Sequence, residues 1–144
     1  MGRNRLFVRR RDGRIEIRLN EFARAMAKET FGAVVRAERE VNHEWHNVLN
    51  GPIDPSSDHD DPVATLTRQN DMASNAELAL VTVDEQFIND SEAWAWLSTF
   101  QVALRSIALA HALVDEESLE RSDETLVSQV RAVQQFLFEL AECL

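Results

Sequence analysis

Apolar residues first alternate with polar ones and then recur every three to four positions, which predicts a β-hairpin followed by helices. In Arg11-Asp12-Gly13-Arg14, Asp-Gly reads as a two-residue turn, because both central positions of such a turn need positive φ. That turn sets Arg11 opposite Arg14, Arg10 opposite Ile15, Arg9 opposite Glu16 and Val8 opposite Ile17. Leu6, Val8, Ile15, Ile17 and Leu19 then share an apolar face. Phe7, Arg9, Arg11, Arg14, Glu16 and Arg18 share the other, an arginine plate. A hairpin is marginally stable by itself, so its apolar face should dock on the helices.

From Asn20, a good N-cap, apolar residues continue at helical spacing through Phe22, Met26, Val34, Ala37, Val41, Trp45 and Leu49. Asn50-Gly51-Pro52 supplies a stop, so one long helix is expected over 20–50, with a bend or break near Gly32. Residues 51–61 read as an acidic loop, and Asp61-Pro62 restarts a short helix. Ser74 with Glu77 forms a capping-box pattern ahead of a third helix, although 78–83 also suits a strand. Asp90 or Ser91 caps a helix running to about Val114 that is apolar nearly all round, as in a bundle centre or subunit interface. Trp94 and Trp96 point to opposite sides of it, and Trp94, Trp96, Phe100 and Ile107 are the expected core or interface positions. Ser122 or Asp123 starts a last helix with Leu126, Val130, Val133, Leu137, Leu140 and Leu144 as its stripe. The expected fold is mainly α, a single domain over 1–144. About four helices form a bundle over 20–50 and 62–144, with a short N-terminal β-hairpin over 1–19.

Composition is that of a globular chain, with 44% apolar and 28% charged residues, 4 Gly and 3 Pro. The single cysteine, Cys143, excludes an internal disulfide and suits a reducing compartment. No signal-peptide pattern opens the chain, so a cytoplasmic location is expected. No segment suits a bilayer, since Gln101 and Arg105 interrupt the most apolar helix. The net charge of −10 argues against polyanion binding by the surface as a whole. Its distribution changes that picture: residues 1–18 carry seven arginines and a net of +5, whereas the other 126 carry −15. Such a basic head can bind nucleic acid, with Arg9, Arg11, Arg14 and Arg18 as the candidates. The plainer reading pairs it with the acidic body of its own or a second subunit.

Glu40-Val41-Asn42-His43 has the Glu-x-x-His spacing of di-iron bundles, but only once. Glu40, His43 and His46 are therefore weak metal candidates that lack a fourth ligand, and a solvated helix face explains them as well. His59 among Asp58, Asp60 and Asp61 lacks the spacing of a calcium loop. His111 suits a hydrogen-bonded core histidine, and Arg105 a structural role. No nucleophile elbow, phosphate loop or dinucleotide fingerprint is present, and nothing beside Cys143 would lower its pKa. No catalytic residue and no cofactor is expected, and the chain does not read as an enzyme.

The hairpin stretch Gly13-Arg14-Ile15-Glu16-Ile17-Arg18-Leu19, Asp60-Asp61-Pro62-Val63, Glu92-Ala93-Trp94-Ala95-Trp96-Leu97 and Val102-Ala103-Leu104-Arg105 carry a resemblance. The chain resembles an uncharacterised actinobacterial family, a domain of unknown function usually encoded beside the adaptor that delivers substrates to the Clp protease. Between Leu66 and Glu77 it departs from that pattern. The resemblance implies a cytoplasmic, mostly helical protein, with a link to Clp-type proteolysis conceivable from gene neighbourhood. It supplies no functional residues, and some relatives carry the label of transcriptional regulator.

Three functions remain. The first is a non-enzymatic protein-interaction or regulatory module, expected to be homodimeric. The second is a nucleic-acid-binding regulator that uses the hairpin arginines, and the third a metal protein or enzyme built on Glu40, His43 and His46.

Overall fold

The computed structural model describes residues 5–40, 42, 43, 45, 62–113 and 115–144, with 62–70 described as backbone only. Two short strands open it, β1 (Phe7–Arg9) and β2 (Ile15–Ile17), followed by the helix α1 (Glu21–Arg39). Helix α2 (Pro62–Thr82) leads through a two-residue strand, β3 (Phe87–Ile88), to α3 (Asp90–Ala110). A five-residue helix, α4 (Glu116–Glu120), precedes the final α5 (Glu124–Cys143). The protein is thus mainly α, a helical bundle with a short antiparallel sheet of strand order β1-β2-β3 at its N-terminal side.

The hairpin forms, with a register one residue from the expected one. Phe7 faces Ile17, Val8 faces Glu16 and Arg9 faces Ile15. The loop has three residues: Arg10 N–H donates to the Arg14 carbonyl at 2.8 Å, and Gly13 N–H to the Arg10 carbonyl at 3.1 Å. Gly13 sits at φ +91, the left-handed position that a three-residue loop reserves for glycine. One extra loop residue exchanges the faces of β1, so Phe7 is buried and Val8 only half-buried.

Asn20 caps α1 as expected, its side chain accepting the Ala23 N–H at 2.7 Å. The helix runs through Gly32 and ends at Arg39, short of the expected 50, with Glu40 in extended backbone. Beyond that end, His43 N–H donates to the Glu40 carbonyl and His43 Nδ1 accepts the Trp45 N–H at 3.1 Å. This turn carries Trp45 back into the core beside Val34 and Ala37, and burying an indole outweighs a few more helical turns. Residues 46–50 and the acidic loop 51–61 lie outside the described residues.

Helix α2 is continuous where two helices were expected; Ser74 is exposed inside it rather than capping, and 78–82 are helical. No glycine or proline interrupts 63–82, and Ala76 and Ala79 are fully buried against neighbouring elements. The cap of α3 is Asn89, one residue before the expected position, in a reciprocal capping box with Glu92 at 2.8 Å each way. Residues 115–120 contain α4, capped by Asp115 and Ser118. His111 is exposed as the C-cap of α3, not a core histidine.

Two joined clusters form the core. In the first, Trp96 has edge-on contacts with Phe7, Phe31 and Phe100 at 6.0, 5.0 and 6.2 Å between ring centroids. Its indole N–H donates to Thr82 Oγ1 at 2.8 Å, which satisfies the one polar atom buried there. The second gathers Val34, Trp45, Ile107 and Val130. Of the four positions expected in a core or interface, Trp96, Phe100 and Ile107 are buried, and Trp94 is 55% exposed. No helix among the described residues is long and apolar enough to cross a membrane.

Candidate functional site

The hairpin arginines spend much of their donor capacity on their own chain. Arg9 lies on the core-facing side of β1, and its guanidinium reaches three elements. It donates to the Cys143 carbonyl through Nε at 3.0 Å and Nη2 at 2.9 Å, and through Nη1 to the Gly13 carbonyl at 2.7 Å and Asp90 Oδ1 at 2.8 Å. The start of α3, the end of α5 and the hairpin turn are thereby clasped together. A cation at the last carbonyls of α5 also complements the negative end of its dipole.

Arg14 pairs with Asp12 at 2.8 Å and lies 4.1 Å over the Phe87 ring. The Arg14 side chain holds the Asp12 carboxyl below its ordinary range, with the Arg14 backbone N–H adding to the effect. Glu16 takes Arg18 and, at 3.9 Å, Arg10. Among the described residues Arg11, at the tip of the turn, has no ion pair or side-chain hydrogen bond. The structure therefore divides the expected plate: Arg9 reaches across the surface to the ends of α3 and α5, Arg14 and Arg18 are paired beside it, and Arg11 is left facing solvent.

Cys143 also touches the sheet, its thiol donating to the Phe7 carbonyl at 3.4 Å. Burial pushes the thiol pKa up, and the proximity of Arg9 only partly offsets this. Glu139 is buried with its carboxylate accepting the Leu6 N–H at 3.1 Å and the Gln135 amide at 2.9 Å. The end of α5 thus covers the open edge of β1.

The proposed metal residues do not assemble as the spacing suggested. Glu40 is the extended C-cap of α1, so Glu40 and His43 are not stacked one helical turn apart. His43 Nδ1 is occupied by the Trp45 N–H, and its ring packs edge-on against the indole at 5.4 Å. His46 and the His59 loop lie outside the described residues.

Two features carry no sequence motif. Trp94, Phe138 and Leu144 are 55%, 61% and 38% exposed. Trp94 lies one turn after Asp90, Phe138 lies five residues before Cys143, and Leu144 follows it. Since Arg9 ties Asp90 to Cys143, all three lie towards the same end of the α3–α5 pair, with Phe138 and Cys143 on different faces of α5. The second feature is a groove of 420 Å³ between the first halves of α1 and α5, where Phe22 and Met26 meet Glu29 and Glu124. Comparison with family models, curated proteins and solved structures finds no match to this chain.

Proposed function

We propose that this protein is a non-enzymatic interaction module that works as a homodimer in the cytoplasm. The observation that carries the reading is the exposure of Trp94, Phe138 and Leu144, all towards the same end of α3 and α5. Single exposed apolar residues are ordinary on any surface, but large aromatics are enriched where surfaces associate, and two of them are exposed here. Burial raises the Cys143 thiol pKa and disfavours its nucleophilic form, which counts against Cys143 as a catalytic nucleophile. A link to Clp-type proteolysis rests on the sequence resemblance alone.

Sedimentation velocity over a wide concentration range tests the dimer. Trp94→Ser with Phe138→Ser should shift it towards monomer without loss of helical content; a wild-type chain that stays monomeric at high concentration overturns the reading. A nucleic-acid-binding role keeps one supporting observation, that Arg11 has no ion pair among the described residues. The commitment of Arg9, Arg14 and Arg18 to own-chain acceptors favours the interaction module instead.

A further inference from the structure

Once the internal ion pairs are set aside, the charges left over fall in two places. One is the basic hairpin turn, where Arg10 is held at 3.9 Å and Arg11 has no ion pair or side-chain hydrogen bond among the described residues. The other is the α1–α5 groove, whose Glu29 and Glu124 take part in no ion pair or side-chain hydrogen bond among the described residues. Among the described residues no basic side chain lines that groove, and Phe22 stands 73% exposed in its wall. It suits a cationic guest with some apolar surface.

The two places share one flank of α5. Ser128 lines the groove, while Glu139 and Cys143 meet β1, and these residues follow helical spacing along a single stripe through Gln135. The stripe from Ser128 to Cys143 covers about 22 Å at 1.5 Å per residue. A chain's own turn therefore lies far from its own groove, at the opposite end of the helix. Two copies related by a two-fold axis across the middle of α5 would run this flank antiparallel. The turn of each copy would then lie at the groove of the other, which closes the assembly with both contacts made twice.

Building on the homodimer reading, we infer that the basic turn at Arg10 and Arg11 of one copy docks in the Glu29–Glu124 groove of a second copy. The segregation of +5 on residues 1–18 against −15 on the rest then acts as a self-recognition code. It also sets an orientation, because parallel pairing along α5 would bring turn to turn and groove to groove.

Charge reversal tests this with side chains that carry no internal contact. Sedimentation equilibrium at low and moderate salt would compare the wild type with Arg11→Glu, Glu29→Arg and the double variant, circular dichroism serving as the check on folding. Each single reversal should weaken self-association about tenfold or more, and salt should weaken the wild type. The double variant should recover most of the lost affinity, and Glu124→Arg should behave like Glu29→Arg. A salt-insensitive dimer unmoved by any reversal overturns the docking and leaves the homodimer standing. A monomeric wild type overturns both. A monomer whose salt-dependent binding to duplex DNA is lost in Arg11→Glu assigns the turn to a polyanion instead.

Discussion

The carbonyl oxygen of Cys143 accepts two hydrogen bonds from the side chain of Arg9, 134 residues earlier in the chain. The same guanidinium reaches the Gly13 carbonyl and Asp90, so one side chain joins three elements that share no local sequence. Replacing it removes several charge-assisted bonds at a partly exposed site. Arg9→Ala should lower unfolding stability by about 1 to 2 kcal/mol, as read by denaturant titration. Arg9→Lys should recover only part of this, because an ammonium cannot reproduce the fork.

Ala112 follows the C-cap of α3 at φ +53, a left-handed conformation that costs an L-residue with a Cβ. Leu113 N–H returns to the Ala108 carbonyl at 2.8 Å, the bond of a glycine-terminated helix end. Ala112→Gly should therefore stabilise the protein by about 0.5 to 1 kcal/mol, and Ala112→Val should do the reverse. Thermal unfolding of the pair would show it; equal melting temperatures would contradict the strain.

Gly32 presents the opposite case. It lies inside α1 with helical backbone, and a Cβ there would meet only the far end of the Arg36 side chain, at 3.2 Å. Gly32→Ala should raise stability by about 0.5 to 1 kcal/mol, since the flexible guanidinium can move aside while the unfolded chain loses freedom. A loss of stability would mean that Arg36 cannot yield.

The Cys143 thiol should react slowly. Its raised pKa disfavours the thiolate, and folding protects it. The sign follows from the raised folded-state value: this contribution to stability is complete below the unfolded thiol pKa and fades as pH rises through the folded one. Alkylation at neutral pH should be several-fold slower than in the denatured chain, and Arg9→Ala should speed it if loss of the clasp lets the end of α5 fray. Native and denatured rates that coincide would contradict the burial.

Duplex DNA should bind weakly. If Arg11, with help from Arg10, is the exposed charge of the turn, the log–log salt slope should lie near −1 to −2, at about −0.9 per phosphate. Fluorescence anisotropy at several salt concentrations gives it directly. A slope near −4 would mean that Arg9, Arg14 and Arg18 abandon their present partners.

What the sequence made legible were features governed by neighbours. The hairpin, the cap at Asn20, the buried side of α3 at Trp96, Phe100 and Ile107, and the stripe of α5 all follow from periodicity and capping chemistry. The α1 end does not, because it depends on where Trp45 finds a cavity rather than on any stop signal between Arg36 and Val41. Ser74 and Glu77 match a helix start, yet the flanking residues are good helix formers and the chain continues through them. The face of β1 turned on one residue in a loop whose Asp-Gly fits two turn types. The Arg9 clasp had no signal at all, since its acceptors outside the hairpin lie 81 and 134 residues away.

Because β1 is held against the last two turns of α5, its outer edge is covered only where Glu139 and Cys143 reach it. The rest of the hairpin is met by the middle of the chain, through β3 and Trp96. The last helix therefore adds a cover to a sheet assembled without it, and a chain cut before Glu139 would leave the edge of β1 open to pairing with another strand.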